Sequence, residues 1–320
     1  MRTLEIVHRT RYEYAEPVTL NDYRLMFRPR DSHDLRLLHT NLVIDPAATV
    51  RWIHDPFGNS IAIASFAAEP VQALELVSTI RVEHFGVPPE LPPIEDYARK
   101  LPFSYLAEEA PDLARYVERH YPDPNAMVSN WTRQFLDAPG DDAPDTATDT
   151  FAVLVRMCQG IPGQLKYAMR FEAGTQPPAV TLESGGGTCR DYALLMMEGV
   201  RSLGIAARFI TGYLYDPALE RSGDEGADGE RVSTAFPHAW METYLPGAGW
   251  IEFDPTNGIV GSDRLIRVAV ARDPEQAMPI KGSFVGTAGV AINAIVEVSV
   301  HGLDAATTAP EEAASAEPAA

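Results

Sequence analysis

The sequence is poor in cysteine and in positive charge, and it has no long apolar run. Only two cysteines occur in 320 residues, too few for the disulfide framework of a small secreted domain. The 26 lysines and arginines stand against 45 aspartates and glutamates, which gives a formal net charge of −19. Such a surface repels phosphate backbones and anionic headgroups, so we expect no nucleic-acid partner and no membrane partner.

Signals for targeting and for metal binding are also missing. No apolar stretch approaches the roughly 20 residues of a membrane helix, and charges interrupt the first residues where a signal peptide needs an apolar stretch. We therefore expect a cytoplasmic protein. The histidines form no i, i+4 pair on a predicted helix, and no CxxC motif occurs, so we predict neither a metal site nor a cofactor.

What is present divides the chain into a β-rich first part and a mixed second part. The length suggests about two domains. Short runs rich in Ile and Val, separated by turns such as DPFGN at 55–59, predict a small all-β domain over 1–85. Four prolines predict a stiff linker at 86–95. A core is expected over 96–304, followed by a disordered tail of small and polar residues over 305–320.

Hydrophobic spacing in the second part predicts an α+β fold. One core helix is expected over Thr150–Gly160, and a second from Cys189 through Leu203. Prolines limit the segment Asp96–Leu136 to short helices. The predicted strands are Ala206–Tyr215, His238–Leu245 and Trp250–Asp254, with Leu265–Ala271 and Val290–Val300 as edge strands.

Cys189 lies where a run of three glycines, 185–187, enters a helix. Its sulfur is expected near unpaired backbone amides and the positive end of the helix dipole, which favour the thiolate. The glycines also leave room for a substrate carbonyl to approach amides that can hold an oxyanion. Cys158, in the middle of an apolar stripe, has none of these features. The alternative is that Cys189 is a buried structural cysteine. A catalytic role therefore requires a base and a carboxylate close to it.

Strand alternation offers His238 and Asp254 as those partners. Pairing Tyr244 with Trp250 across the turn puts Asp254 opposite Trp240 and diagonal to His238, whereas an odd register separates the two onto opposite faces. A lone histidine is usually structural, and an aspartate before proline usually caps a turn. Together with the cysteine, they supply a nucleophile, a proton carrier and an orienting carboxylate.

Longer stretches around these residues resemble a known family. GGGTCRDYALLMMEGVRSLGIAARFITGYL and HAWMETYLPGAGWIEFDPTNG are similar to the core of the transglutaminase-like superfamily in its bacterial branch. YEYAEPVTLNDYRLMFRPR, with DPFGN, resembles the β-rich N-terminal domain that accompanies that core. The resemblance implies a papain-like core with the cysteine helix packed on an antiparallel sheet. It implies Cys189 as nucleophile, His238 as general base and then acid, and Asp254 as the orienting carboxylate.

The remaining site assignments stay open at this point. The resemblance implies an oxyanion hole formed by the Cys189 N–H and a second donor upstream, for which Tyr167 and Gln164 are candidates. Asp191 is either a site residue or a helix cap. Arg190 and Trp240 are expected to position the site. The acidic segment 216–237 is either a solvated loop or a lid over the cleft.

Three functions fit these residues. The first is thiol-dependent acyl transfer on amide bonds of a peptide or protein substrate, as a cysteine protease or peptidase-like amidase, because water resolves a thioester by default. The second is the protein-glutamine gamma-glutamyltransferase reaction, in which an amine intercepts the same thioester and crosslinks. The third is a non-catalytic protein-binding module of the same fold. The sequence fixes neither the acceptor, nor the substrate, nor the oligomeric state.

Overall fold

The computed structural model describes residues 1–85, 93–123, 125–136, 149–168, 170, 174–215, 233–234 and 236–303. The helices are α1 (Ala110–Val117), α2 (Met127–Arg133), α3 (Thr150–Gln164), α4 (Pro178–Ser184) and α5 (Cys189–Ser202), with 3₁₀ turns at Asp96–Ala98 and Pro274–Ala277. None of the helices in these residues has both the length and the apolar composition that a membrane span needs.

The strands follow in chain order. They are β1 (Arg2–Leu20), β2 (Tyr23–Leu25), β3 (Leu35–Asp45), β4 (Ala48–His54), β5 (Ser60–Phe66), β6 (Val71–His84), β7 (Lys166–Tyr167), β8 (Gly186–Gly187), β9 (Ala207–Leu214), β10 (Ser233–Thr234), β11 (Phe236–Leu245), β12 (Gly249–Asp254), β13 (Ile259–Val260), β14 (Leu265–Ala271), β15 (Ile280–Lys281), β16 (Phe284–Val285) and β17 (Ile292–Leu303).

The strands of the first part of the chain lie in two antiparallel sheets, which strands from the end of the chain complete. One has the order β10-β17-β1-β6-β3, with β16 also paired to β1, and the other has the order β15-β2-β5-β4. Alternating apolar residues of β1, β2, β5 and β6 face each other between the sheets and form a buried cluster. The expected β-rich N-terminal region is therefore confirmed.

The second part packs helices on a five-stranded antiparallel sheet of order β13-β12-β11-β9-β14. Apolar residues of α3 and α5 pack against β9, β11 and β12 in the largest buried cluster of the described chain, which includes Met157, Met197, Phe209 and Phe253. The predicted α+β class, with the cysteine helix packed on an antiparallel sheet, is confirmed.

The two parts share a core. Leu4 and Ile6 of β1 pack with Tyr213 of β9 and Ile266 of β14 in one buried cluster. The DPFGN turn also contacts the second part, because the side-chain amide of Asn59 donates to the Val270 carbonyl and its oxygen accepts from the Val270 N–H, at 2.7 and 3.0 Å. The N-terminal region is thereby fixed against the sheet that carries the candidate site.

The first core helix ends later than the spacing predicts. The expected stop at Gly160 is wrong, because α3 continues through Pro162 to Gln164. Gly160 has another role: a Cβ at this position would lie 2.7 Å from the Phe135 ring, so glycine permits close packing rather than ending the helix. A proline in the last turn removes only one helical hydrogen bond, which the packing tolerates.

The last strand also lies elsewhere than expected. The core predicted over 96–304 includes the segment Val290–Val300, whereas β17 pairs with β1 from Thr3↔Leu303 to Tyr14↔Ile292 in the N-terminal sheet. Val298 and Val300 join the buried cluster of Leu4 and Ile6, which explains the pairing. Most of the predicted linker 86–95, the tail 305–320 and most of the lid candidate 216–237 lie outside the described residues.

Candidate active site

Cys189 is the first residue of α5, with Thr188 as the N-cap. Its backbone N–H therefore belongs to the first turn, where helix amides lack intrahelical partners. The preceding residues form β8, which pairs in parallel with β7. A Cβ on Gly186 would lie 2.3 Å from the Lys166 carbonyl oxygen, so this approach requires glycine. The glycine run thus brings β7 beside the start of the helix.

Asp191 holds this entry in place from inside the protein. Its carboxylate is fully buried and accepts hydrogen bonds from the Thr188 N–H at 2.8 Å and the Gln176 N–H at 2.8 Å. The Arg170 guanidinium donates to both carboxylate oxygens, at 3.0 and 3.1 Å. Burial raises the pKa of Asp191, but the Arg170 and backbone hydrogen bonds outweigh it and hold the pKa below its ordinary value. Asp191 is therefore a charged cap that fixes the loop before Cys189.

His238 and Asp254 meet as the register requires. Tyr244 pairs with Trp250, so the predicted register is confirmed. His238 and Asp254 are brought to the same face of β11 and β12, where His238 Nε2 lies 2.9 Å from Asp254 Oδ2. His238 is 8% exposed and Asp254 is 0% exposed. The ring nitrogen Nδ1 is consequently the one left to face a third group.

Asp254 is oriented by the turn that follows it. Its Oδ2 accepts from the Asn257 side-chain amide at 2.7 Å, and its Oδ1 accepts from the Thr256 N–H at 3.0 Å. Burial alone raises the pKa of Asp254, but hydrogen bonding to His238, the charge of His238 and these donors keep it below its ordinary value. The buried carboxylate therefore stays ionised beside the imidazole.

Cys189 and His238 affect each other's protonation strongly. Burial raises the pKa of the Cys189 thiol, but hydrogen bonding with His238, its charge and the Ala239 N–H together lower it below the ordinary value. Burial lowers the pKa of His238, whereas hydrogen bonding to Asp254 and to Cys189 raises it well above the ordinary value. Both directions favour a thiolate–imidazolium pair. Cys189 is only partly buried as a residue, whereas Cys158 is buried.

Cys158 occupies the opposite kind of environment. It is completely buried in α3, and its sulfur lies 3.4 Å from the Ile259 carbonyl oxygen. Burial, and then the charge of Asp254, raise the pKa of its thiol far above the ordinary value. A neutral, inaccessible thiol of this kind is part of the packing.

The two candidates for the second oxyanion-hole donor, Tyr167 and Gln164, lie in different places. Tyr167 on β7 is half exposed and lies against Cys189, since burial first and then the Cys189 charge and hydrogen bonding raise the pKa of Tyr167. Gln164 instead accepts from Trp131 Nε1 at 2.9 Å, on the side of α3 that contacts α2.

Arg190 contributes a positive charge that lowers the pKa of Cys189. Trp240 is buried with its ring stacked against His238, with centroids 5.9 Å apart.

Several residues around the site are not predicted by the sequence patterns. Asn257 lies in the DPTN segment and donates to Asp254. Arg170 and Gln176 both bind Asp191, although no motif includes them. The DPTN turn was a signal for Asn257, because a side chain three residues after an aspartate can fold back on it. Within the described residues, no cluster of three or more His, Cys, Asp or Glu could hold a metal ion.

Comparison with known families matches two segments of the chain. Residues 4–83 match the family model of the bacterial transglutaminase-like N-terminal region. Residues 141–255 match the family model of the transglutaminase-like superfamily core. The two matches together cover more than half of the chain.

Similar proteins include mycobacterial relatives and one solved structure. An uncharacterized protein of Mycobacterium leprae is 33% identical over 35% of this chain, a match that spans 37% of that relative. An uncharacterized protein of Mycobacterium tuberculosis is 25% identical over 92% of this chain and 90% of its own length. The crystal structure of a candidate cysteine protease from Cytophaga hutchinsonii has a TM-score of 0.66 at 18% identity, and covers 95% of this chain and 91% of that one. At this identity the likeness concerns the fold.

Proposed function

Because the chain belongs to the transglutaminase-like superfamily, we propose that it is a thiol-dependent acyl-transfer enzyme that hydrolyses amide bonds of a peptide or protein. The nucleophile is Cys189, the proton carrier is His238 and the orienting carboxylate is Asp254. The protein is thus proposed as a protease or peptidase-like amidase.

One observation carries this proposal. The pKa of Cys189 is lowered while the pKa of His238 is raised, and His238 bonds to the buried carboxylate of Asp254 at 2.9 Å. A purely structural role would require none of these charges in a partly accessible position, since burying charged groups is costly. The arrangement supplies an ionised nucleophile and a protonated acid at once.

The first half of the reaction uses both members of the pair. The Cys189 thiolate attacks the amide carbonyl, and the electron pair of the C=O bond moves to oxygen. The first-turn N–H of Cys189 and the Tyr167 hydroxyl are proposed to donate to that oxyanion. As the tetrahedral intermediate collapses, the C–N bond breaks and His238 gives its Nδ1 proton to the leaving amine. A thioester on Cys189 and a neutral imidazole result.

The second half returns the enzyme to its starting state. His238 takes a proton from water, the hydroxide attacks the thioester carbonyl, and the C–S bond breaks to release a carboxylic acid and the thiolate. Asp254 keeps Nε2 protonated throughout, so that Nδ1 is the nitrogen that accepts and donates. If a primary amine takes the place of water, the same steps yield a new amide, which is the transglutaminase outcome.

Trapping the acyl-enzyme tests the proposal. The protein is incubated with glutamine-containing proteins and peptides, quenched in acid, and digested for mass spectrometry of the Cys189 peptide. An acyl adduct on Cys189 that is absent from Cys189→Ala is expected. Cleaved peptide or ammonia indicates hydrolysis, and incorporation of a labelled primary amine indicates transamidation.

The competing function is a non-catalytic binding module. It predicts that Cys189→Ala fully rescues the phenotype of a deletion strain. Full rescue, together with the absence of any adduct, would refute the proposed activity. A cytoplasmic location also remains a prediction, which fractionation of cells that express the full chain tests.

A further inference from the structure

Two buried carboxylates face each other next to the proposed active site. Glu242 on β11 and Glu252 on β12 are directly paired across the strands. Glu242 is fully buried and Glu252 is 8% exposed. Like charges directly opposite on neighbouring strands are destabilising, so this pair needs either cations or a proton. The proposed chemistry uses neither residue.

Two arginines from neighbouring elements meet the pair. Arg267 on β14 donates from Nη1 to Glu242 Oε1 at 3.0 Å and lies 3.5 Å from Glu252 Oε1. Arg208 on β9 donates from Nε to the other oxygen of Glu242. The second nitrogen of Arg267, Nη2, contacts both oxygens of Asp34, at 3.3 and 3.4 Å. Asp34 immediately precedes β3, so the N-terminal region contributes a charge to this cluster.

Trp240 connects the cluster to the imidazole. Its Nε1 donates to Glu252 Oε1 at 3.2 Å, and its ring stacks on His238 with an interplanar angle of 23°. Trp240 is completely buried, so the ring can turn only if the surrounding packing yields. An uninterrupted series of contacts therefore runs from His238 through Trp240, Glu252 and Arg267 to Asp34.

The charges of this cluster set the protonation of Glu252. Burial and the charge of Glu242 raise the pKa of Glu252 to about 8, with Asp34 acting in the same direction. Arg267 and the Trp240 hydrogen bond act in the opposite direction. At neutral pH, Glu252 thus holds a proton and can still accept from Trp240 through its carbonyl oxygen. Above pH 8 it becomes a carboxylate beside the indole.

We propose that Glu252 is a positioning residue for His238, acting through Trp240, and that the Asp34–Arg267 ion pair makes this positioning depend on the N-terminal region. The inference rests on the proposed function of His238 as proton carrier. It adds a further ionisation to those of Cys189 and His238, that of Glu252, which the reaction itself does not use. It also gives the N-terminal region a role in tuning the site in addition to its packing.

The test is the pH profile of Cys189 alkylation. The full-length protein is treated with iodoacetamide from pH 5 to 10, and the rate is followed by mass spectrometry of the Cys189 peptide. We expect the wild-type profile to contain a step near pH 8, caused by ionisation of Glu252. The step disappears in Glu252→Gln, which keeps an oxygen acceptor for Trp240 but cannot ionise.

Two further variants change the step in different ways. Asp34→Asn removes a negative charge and frees Arg267 for Glu252, so the step moves to lower pH. Trp240→Phe keeps a ring beside His238 but removes the hydrogen bond to Glu252 through which the ionisation acts, so the step is lost. The control Glu5→Gln, in the exposed Glu5–Arg81 pair of β1 and β6, leaves the step unchanged.

The inference is overturned if Glu252→Gln retains the step, or if Asp34→Asn and Trp240→Phe give the same profile as Glu5→Gln. Should Glu252→Gln fail to fold, the partly exposed Asp34 variant carries the test. Alkylation needs no acyl substrate, so this result is independent of acyl-enzyme formation. Altered profiles without any acyl adduct would refute the proposed activity while leaving the coupling between Glu252 and His238 in place.

Discussion

The two cysteines lie close to the same aspartate and yet have opposite properties. Cys189 interacts with the imidazole of His238, which bonds to Asp254, and the pKa of its thiol is lowered. Cys158 is beside Asp254 without an intervening imidazole, and the pKa of its thiol is raised by burial and by that charge. The same carboxylate therefore favours one thiolate indirectly and opposes the other directly.

Position in the helix adds to this difference. Cys189 is the first residue of α5, where the helix dipole and free amides favour negative charge, whereas Cys158 is in the interior of α3. Cys189 is partly accessible and Cys158 is not. Reactivity is thus a property of the surroundings, and each of the following changes alters one part of them.

Removal of the nucleophile has the largest expected effect. Cys189→Ala should reduce acyl transfer by about 10⁶-fold, the size seen when a triad nucleophile is removed. The measurement is the rate of product formation from a peptide that the wild-type protein converts. The matched control is Cys158→Ala. Equal losses in the two variants would contradict the assignment of Cys189.

Loss of the orienting carboxylate comes next. Asp254→Asn should lower acyl transfer by about 10⁴-fold, because the imidazole loses the charge that stabilises its protonated form and fixes its tautomer. Asp263→Asn, in an exposed pair with Arg2, is the control and should retain full activity. A rate for Asp254→Asn within tenfold of wild type would argue against a triad.

Misplacing the strand beside the nucleophile should have an intermediate effect. Gly186→Ala introduces a Cβ 2.3 Å from the Lys166 carbonyl, which pushes β7 and Tyr167 away from Cys189. We expect acyl transfer to fall by about 10²-fold, the cost of roughly 1 Å of misplacement. Gly163→Ala, where a Cβ meets no atom within 4 Å, is the matched control; similar rates in both would exclude this geometric requirement.

The ratio of the alkylation rates of Cys189 and Cys158 measures the difference in reactivity between the two thiols directly. At pH 7 a thiol of ordinary pKa is only a few per cent ionised, so the lowered pKa of Cys189 should make it react with iodoacetamide more than about tenfold faster than Cys158. Separately from the step near pH 8, the Cys189 rate should fall as the pH drops below the lowered pKa of its thiol, because the thiolate is protonated there. Equal slow labelling of the two cysteines in the native protein would remove the basis for a reactive thiol.

The smallest effect on chemistry is expected at the buried cysteine. Cys158→Ser places a hydroxyl in a packed interior and should lower the free energy of unfolding by about 1–3 kcal/mol, as measured by urea denaturation. The Cys189 alkylation rate should stay within threefold of wild type. A large drop in that rate at unchanged stability would mean that Cys158 takes part in the chemistry.

Much of the site follows from local patterns in the chain. The glycine run and the apolar spacing after it predict the start of α5 at Cys189, and the structure begins the helix there. The PGAG turn fixes the register of β11 and β12, since a hairpin of given loop length leaves one alignment. That register brings His238 and Asp254 to one face.

Other features do not follow from local patterns. Gly160 in α3 lies against the ring of Phe135, which comes from the turn after α2, so a glycine that looks like a helix stop is a packing contact. The position of Asp191 at the start of α5 predicts a helix cap. Its ion pair with Arg170, however, joins two residues that no local sequence pattern connects. The cluster of Glu242, Glu252 and Arg267 brings three strands together.

By itself, the sequence determined where the cysteine helix begins, which residues of the hairpin share a face, and the α+β class. These properties depend on backbone preferences and side-chain alternation among residues close in the chain. Only the tertiary structure decided that β17 pairs with β1 and that Tyr167 rather than Gln164 lies beside Cys189. It also decided that Asp34 contacts Arg267 in the cluster of Glu242, Glu252 and Arg267. Such contacts depend on which edges and charges remain unpaired once the sheets have packed, and that is a property of the whole chain.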